Sequence, residues 1–379
     1  MTYLLKHRDQ ALLRFNLHSD PIAGLSAQIL ECNSNTQHLF PLDLDPTDTG
    51  LLKWLKRRII PRNRAFVQSF LAKLGLNVND TKGIIDICRG LSLNDCYWVA
   101  EESFNGTFAR YNLYENRFSR ILSLIAYTGY GEYIRSDFAS TPELTTGGML
   151  AKCWRRTGGK IVLYKAGSTG AANAGNEPYS EFYAWQIAQT MGLNAVEYNL
   201  RQWKGQLCST CELFTSLNRA YIPAGRLVPE GGWPVVMQYY KQLGERYYDS
   251  LIDMLIFDAV ICNEDRHFGN FGLLIDNDSN SIVDTAPIFD NGLSLFNYAM
   301  DDDLQDMKNY IGTRLMATSQ DFVVFAQQVI TAAQKKKLRR LINFRFRRHP
   351  RYNLPAHRLS IIENFIQQRV HELLLLQTE

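Results

Sequence analysis

The spacing of hydrophobic and polar positions changes twice along the chain and predicts three successive regions. Up to about residue 135, segments with a helical period, such as NRAFVQSFLAKLGL at 63–76, alternate with breaker clusters such as PLDLDPTDTG at 41–50. This alternation predicts that residues 1–135 form a mostly helical accessory region.

The pattern becomes strand-like from about residue 136. The runs TTGGMLAKCWRR and GKIVLYKAG are separated by an Arg-Arg-Thr-Gly-Gly turn, which predicts two paired strands. A Gly/Ala/Asn-rich loop and the helical run PYSEFYAWQIAQTMGL follow, and Gly192 is expected to end that helix. More strand-like segments come next, so residues 136–220 are predicted to form a small strand-rich lobe.

Residues 221–379 are mostly helical in pattern and are interrupted by a hairpin-like segment at 271–290. A chain of 379 residues is also too long for one ordinary hydrophobic core. The three patterns together predict an α+β protein in which a helical region precedes a strand-rich lobe and a larger helical lobe.

Composition changes this picture little. A hydrophobic content of 46% with 21% charged residues is typical of a globular protein. Seven scattered cysteines favour reduced thiols, and neither a secretory signal nor an apolar run of membrane-spanning length is apparent, so we expect a cytoplasmic protein. Basic runs at 53–64 and 335–351 could contact nucleic acid, or they could be solvated helix faces.

Polar side chains that could act in catalysis or metal binding are concentrated in NEDRHFGN at 263–270. This stretch lies between a helical apolar run and a strand-like run. Asp265 and Asn270 are five positions apart, the spacing at which protein kinases place a proton-accepting carboxylate and a Mg²⁺-binding amide. The hairpin that follows delivers Asp290 in Phe-Asp-Asn-Gly, where kinases carry a second metal-binding carboxylate. Such oxygen donors suit Mg²⁺. The spacing predicts Asp265 as the base and Asn270 and Asp290 as metal ligands.

A lysine and a glutamate upstream extend the pattern. Lys165 follows apolar strand residues, as the phosphate-contacting lysine of kinases does, and Glu181 lies sixteen positions on, in the next predicted helix. Taken singly, they could be a surface lysine and a first-turn glutamate favoured by the helix dipole. In order with the downstream residues, they predict a Lys–Glu pair that holds the lysine on the phosphates of ATP.

The catalytic-loop motif resembles that of the HipA-like serine/threonine kinases of bacteria, which carry N-x-D-R-H-x-x-N. Asn263, Asp265, Arg266, His267 and Asn270 match this motif. The resemblance covers about residues 136–370. It implies a bilobal, protein-kinase-like fold, ATP and Mg²⁺ as cofactors, and a place for His267 in the catalytic site, where we expect it to brace the loop by hydrogen bonds.

The same resemblance implies further nucleotide contacts. Gly148 and Lys152 match the family's phosphate loop, in which a Lys follows a Gly by four residues. The stretch C-E-L-F at 211–214 would be the hinge whose backbone meets adenine, with Glu212 and Phe214 as its contacts.

Two features depart from the family pattern. Some members carry an autophosphorylated Ser three residues before the loop Gly, where this chain has Thr145 with Thr146 beside it, so autophosphorylation stays open. Residues 1–135 match the family's N-terminal subdomain only loosely, so partner contacts known there do not transfer.

The resemblance implies an ATP- and Mg²⁺-dependent serine/threonine protein kinase that phosphorylates a protein hydroxyl. A toxin role and an antitoxin or DNA-bound partner follow only by family analogy. Two alternatives remain: a small-molecule or lipid kinase of the same fold, and a kinase-like protein that binds nucleic acid or a partner. The sequence names no phosphoacceptor.

Overall fold

The structure, a computed structural model, describes residues 1–20, 22, 24–131 and 141–378. The predicted boundary between residues 135 and 136 lies outside the described residues. The division into 1–135, 136–220 and 221–379 therefore stays a prediction.

The described residues contain eleven strands in three sheets. The strands are β1 (Thr2–His7), β2 (Gln10–Asp20), β3 (Gly24–Cys32), β4 (Tyr97–Glu101), β5 (Lys152–Thr157), β6 (Lys160–Ala166), β7 (Tyr198–Trp203), β8 (Gln206–Glu212), β9 (Arg219–Pro223), β10 (Gly272–Asp276) and β11 (Ser281–Thr285). Their orders are β3-β2-β1-β4, β5-β6-β8-β7 and β11-β10-β9. The first sheet is antiparallel throughout.

The described part of the chain also contains fourteen α-helices. They are α1 (Asp48–Lys56), α2 (Val67–Ala72), α3 (Thr81–Cys88), α4 (Phe108–Tyr111), α5 (Arg120–Thr128), α6 (Glu177–Met191), α7 (Ala224–Leu227), α8 (Gly232–Leu243), α9 (Glu245–Ile261), α10 (Asp301–Gln305), α11 (Met307–Gly312), α12 (Phe322–Val329), α13 (Ala332–Leu338) and α14 (Ala356–Leu375). Short 3₁₀ helices lie at Ser34–Leu39, Pro142–Leu144 and Arg339–Leu341. Within the described residues, no helix has both the length and the apolar character that crossing a membrane requires.

The expectation of a mostly helical N-terminal region was wrong for the start of the chain, where Thr2–His7, Gln10–Asp20 and Gly24–Cys32 form β1, β2 and β3. In β1, alternate residues are buried, which is the period of two that a strand with one covered face shows. The turn to β2 is Arg8-Asp9, and Arg8 adopts a left-handed conformation with φ of +48°. This turn lacks the Asn-Gly or Asp-Gly signature of a tight hairpin, so the local pattern offered little sign of it.

The elements predicted around the site are present. Helix α6 ends at Gly192, which has φ of +78° and caps the helix in the left-handed conformation. Strands β5 and β6 are joined by Gly158 and Gly159, both at positive φ, which a two-residue hairpin turn requires. Strands β10 and β11 form the predicted hairpin.

The chain divides into two compact units. The first comprises residues 1–164, 212–222 and 274–283, and the second comprises 165–211, 223–273 and 284–379. The first unit is built on buried side chains from its antiparallel sheet and helices α1 to α5. The second unit includes α9, whose C-terminal half is completely buried.

Candidate active site

The loop between α9 and β10 carries the predicted base. Helix α9 ends because Cys262 turns left-handed at φ +49°. Asn263 then fixes the start of the loop: its amide donates to Asp258 Oδ1 over 2.9 Å, and its side-chain oxygen accepts from the Asp265 amide over 3.1 Å. The chain closes two further tight turns, from His267 N to Asp265 O and from Asn270 N to His267 O. The loop is therefore held by its own hydrogen bonds.

Arg266 connects this loop to the segment that carries Asp290. Its Nε and Nη2 donate to the two carboxylate oxygens of Asp258, both over 2.9 Å. Nη1 donates to the backbone oxygens of Asn270 and Phe289, over 3.1 and 2.7 Å. Nη2 also donates to Asn291 Oδ1 over 2.6 Å. These bonds use all five N–H donors of the guanidinium, so one buried side chain fixes the backbone beside both predicted metal ligands.

Sequence reasoning assigned no role to Arg266 and missed Asp258 and Asn291. Asp258 is completely buried. A signal for it was present, since it is a charged residue in the apolar run LIDMLIFDAVIC, and a buried carboxylate requires a partner. Only the fold determined that Arg266 would be the partner of Asp258 and that Asn291 would also bind this arginine.

The Asp265 carboxyl lies half-buried at the surface of the second unit. Burial raises its pKa above the ordinary aspartate value, and Asp290 raises it further, while His267 and Lys165 lower it. These influences indicate that Asp265 lies within electrostatic range of Asp290 and Lys165. A raised pKa also makes the carboxylate a stronger proton acceptor.

His267 is exposed, and its Nδ1 accepts from the Gly269 amide over 3.0 Å. A Cβ at Gly269 would lie 2.7 Å from His267 Cε1, so a side chain there would displace the ring. This geometry supports a bracing role for His267 within its own turn.

Lys165 and Glu181 are buried, and they form an ionic triad with Asp290, whose side chain is 32% exposed. Lys165, near the end of β6, places its Nζ 2.9 Å from Glu181 Oε1 on α6 and 2.5 Å from Asp290 Oδ1. Burial disfavours the ammonium, but Asp290 and Glu181 outweigh that cost and raise the pKa of Lys165 well above its ordinary value. The Lys–Glu pair predicted from the sequence is thus formed, and the lysine also contacts a predicted metal ligand.

The backbone around Asp290 is held in an uncommon conformation. Asp290 has φ of +56°, which a non-glycine residue adopts rarely. Its amide donates to the Tyr198 hydroxyl over 3.1 Å, and the Asn291 amide donates to Glu181 Oε2 over 2.8 Å. Such strain is kept where surrounding contacts enforce it, often at functional sites.

The residues present fit a Mg²⁺ ion that also binds phosphate. Within the described residues, no cluster of three or more His, Cys, Asp or Glu side chains could hold a metal alone. Kinase Mg²⁺ sites do not need such a cluster, because one or two protein oxygens act with phosphate and water. The side-chain nitrogen of Asn270 donates to Asp265 O over 3.2 Å. This bond fixes the Asn270 side chain, and its Oδ1 points away from the Asp265 carbonyl. Asn270 and Asp290 each offer a side-chain oxygen of the hard type that Mg²⁺ prefers.

The predicted phosphate loop lies in the first unit. Gly148 has φ of +85°, and a Cβ there would collide with the Lys152 ammonium, which donates to Gly147 O over 3.0 Å. The hydroxyls of Thr145 and Thr146 donate to Leu91 O and Pro142 O, both over 2.7 Å. Phosphorylation of either threonine would therefore first require its hydroxyl to be released.

Glu212 and Phe214 of the predicted hinge lie at and just after the end of β8, in the first unit. The exposed Glu212 side chain pairs with Lys160 over 2.6 Å, and Phe214 packs edge-on against Tyr221 with ring centroids 5.4 Å apart. The Leu213 amide donates to Ile161 O over 2.9 Å. The side chains of Glu212 and Phe214 thus have partners within their own unit, so any adenine contact there falls to the backbone.

Comparison with known proteins shows the fold. No protein-family model matches the chain, and no curated protein does. The crystal structure of the Helicobacter pylori proinflammatory kinase CtkA is similar, with a TM-score of 0.50 and 17% identity, over 62% of this chain and 93% of that chain. HipA from the Shewanella oneidensis MR-1 toxin–antitoxin complex with HipB and operator DNA has a TM-score of 0.52 and 11% identity, over 98% of this chain and 96% of that chain. The chain is therefore an α+β protein with the kinase-like fold of HipA and CtkA, as its sequence predicted.

Proposed function

We propose that this protein is an ATP- and Mg²⁺-dependent serine/threonine protein kinase. The observation that carries the proposal is the grouping of chemistry within one unit: the Lys165–Glu181–Asp290 triad, and Arg266 bonded to the backbone beside Asn270 and Asp290. Phosphoryl transfer needs a carboxylate at the acceptor hydroxyl, a cation on the phosphates and metal ligands. The kinase-like fold of the chain agrees with this assignment.

In the proposed reaction, the acceptor hydroxyl oxygen forms a bond to the γ-phosphorus of ATP. The bond from that phosphorus to the oxygen bridging it to the β-phosphate breaks, and ADP leaves with the electron pair. Asp265 receives the hydroxyl proton. Its raised pKa favours this transfer, although positioning supplies most of the rate enhancement.

The other side chains bind and orient. Lys165 contacts phosphate, and Glu181 holds the lysine in place. Asn270 and Asp290 would hold Mg²⁺, which neutralises charge on the transferring phosphoryl group. Because Asp290 contacts Lys165 here, binding of nucleotide and metal would redistribute the Lys165 hydrogen bonds between Asp290 and phosphate.

The assay is transfer of label from γ-³²P-ATP with Mg²⁺, using wild type, Asp265→Asn and Asp290→Asn. We expect both variants to lose at least about a hundredfold in rate, since general-base and metal contributions are each of that order. Asp284→Asn, an exposed carboxylate on β11, is the matched control and should retain the wild-type rate. Wild-type rates in either active-site variant would contradict the proposal.

The labelled product distinguishes the alternatives. A protein kinase labels an added protein pool or its own chain, whereas a small-molecule or lipid kinase leaves protein unlabelled and labels a metabolite or lipid extract. Autophosphorylation and a toxin role are parts of the proposal. The same assay examines autophosphorylation, with Thr145 and Thr146 as the first positions to map by mass spectrometry.

We also propose an antitoxin-like or DNA-bound partner. HipA was solved with HipB and operator DNA, and Lys336, Arg339 and Arg351 in the basic run 335–351 are exposed. The run 53–64 is a poorer candidate, because its Arg58 and Arg64 are buried and bonded within their own unit.

A further inference from the structure

The predicted phosphate loop, Thr145–Lys152, is bonded to a short segment that precedes α2. Arg64 Nη1 donates to Thr146 O over 3.0 Å, and Arg64 Nη2 donates to Lys152 O. The Ala65 amide donates to Met149 O over 2.7 Å. One guanidinium therefore holds both ends of the loop while the next residue holds its middle.

We infer that Arg64 and Ala65, here called the loop anchor, fix the conformation in which the phosphate loop binds the phosphates of a nucleotide. Arg64 is a positioning residue in this scheme. The inference rests on the proposed function, and it gives part of the N-terminal region a role in nucleotide binding.

The direction of the hydrogen bonds explains how the anchor would act. In a trans peptide unit the C=O and N–H groups point in opposite directions. Because the anchor binds the carbonyls of Thr146 and Met149, it directs the amides of Gly147 and Leu150 away from itself. Backbone amides that face outward can bind phosphate oxygens, and the Lys152 ammonium on Gly147 O adds positive charge to the same loop.

Arg64 is an unfavourable residue for a merely structural position. Its side chain is 3% exposed, and among the described residues its Nε has no hydrogen-bond partner. Burial lowers its pKa to about 10, although the buried carboxylate of Glu143 partly offsets the effect. An incompletely compensated buried cation destabilises the fold, so its presence calls for a functional reason.

Arg58 supplies a matched control in the same unit. It is also 3% exposed, and it donates to both oxygens of Asp95 and to the carbonyls of Gly90 and Tyr97. None of these partners belongs to the phosphate loop. Arg64→Lys and Arg58→Lys therefore both remove a buried guanidinium fork, but only the first removes the loop anchor.

The test is titration calorimetry of the full chain with ATP and, separately, with adenosine. For Arg64→Lys we expect ATP affinity to fall about tenfold, the size of a missing charged hydrogen bond, with adenosine affinity unchanged. Arg58→Lys should bind both ligands as wild type does. Equal losses for ATP and adenosine, or no loss for ATP, would overturn the inference.

A second variant and the binding of the wild-type chain distinguish failure of the inference from failure to fold and from failure of the proposed function. If Arg64→Lys does not fold, Ala65→Pro replaces it, since proline has no amide hydrogen and this change removes the anchor's bond to Met149 O over 2.7 Å. The same selective loss of ATP affinity is expected, and wild-type ATP affinity would again overturn the inference. A wild-type chain that binds neither ligand would contradict the proposed function itself.

Discussion

At the scale of single residues, the Asp265 carboxyl combines a proposed catalytic role with a cost in stability. Burial raises its pKa, so the folded chain holds this proton more tightly than the unfolded chain does. The stabilising contribution is therefore complete below the pKa of the unfolded state and is lost as pH rises through the folded pKa. At neutral pH the ionised carboxylate should destabilise the fold.

Asp265→Asn should consequently raise Tm at pH 7 while it abolishes phosphoryl transfer. The gain in Tm should shrink as the pH falls below the ordinary aspartate range, because the wild-type carboxyl then becomes neutral in both states. Thermal unfolding measured from pH 3.5 to pH 8 checks this trend. A variant that is less stable than wild type at pH 7 would contradict the assignment of a destabilising charge.

At the scale of elements, Arg266 couples α9, the loop of residues 263–270 and the segment after β11. Its anionic partner Asp258 is completely buried, and so is the guanidinium. A buried ion pair of this kind contributes little net stability, but removal of one partner leaves an unpaired buried charge. The main effect of the pair is therefore to hold Arg266 where it binds the backbone oxygens of Asn270 and Phe289.

Asp258→Asn should lower the free energy of unfolding by about 3–5 kcal/mol, the usual result of breaking a buried pair. Asp253→Asn on the same helix is the control. Asp253 pairs with the partly exposed Lys337, so this substitution should lower the free energy of unfolding by about 1 kcal/mol or less. Urea unfolding measures both. Equal effects would show that the Arg266 cluster has no special importance.

At the scale of the whole molecule, the net charge of +3 conceals an uneven distribution. Much of the basic run 335–351 bonds within the chain: Lys337 pairs with Asp253, Arg345 with Glu363 over 3.5 Å, and Arg340 donates to Met191 O over 3.0 Å. Only part of the run is thus left for a polyanionic partner, and this limits the number of phosphates it could neutralise.

If the chain binds DNA through this run, affinity should fall steeply with salt. The combined change Arg339→Ala and Arg351→Ala should reduce the slope of log K against log salt by about 2, because each arginine would neutralise one phosphate. Lys337→Ala should leave the slope unchanged, since that ammonium is already paired. Fluorescence anisotropy with a labelled duplex measures the slopes, and salt-independent wild-type binding would refute phosphate contacts through this run.

The sequence by itself determined the order of elements around the candidate site and the candidate residues for its proposed chemistry. Helix α6 with its Gly192 cap, the β5–β6 and β10–β11 hairpins, and the positions of Lys165, Asp265 and Asp290 all follow from local patterns. Periodicity, turn glycines and motif spacing are properties of short segments, so a single sequence can carry them.

The tertiary structure alone decided which distant groups meet. The β1–β2 hairpin turns on Arg8 at positive φ, a conformation that the neighbouring fold imposes. The pairing of Asp258 with Arg266, the ion pair of Lys165 with Asp290, and the bonds from Arg64 to the phosphate loop join residues far apart in sequence or on different elements. A charged residue in an apolar run indicates that a buried partner is required. Only the packed chain determines which group lies within hydrogen-bonding distance.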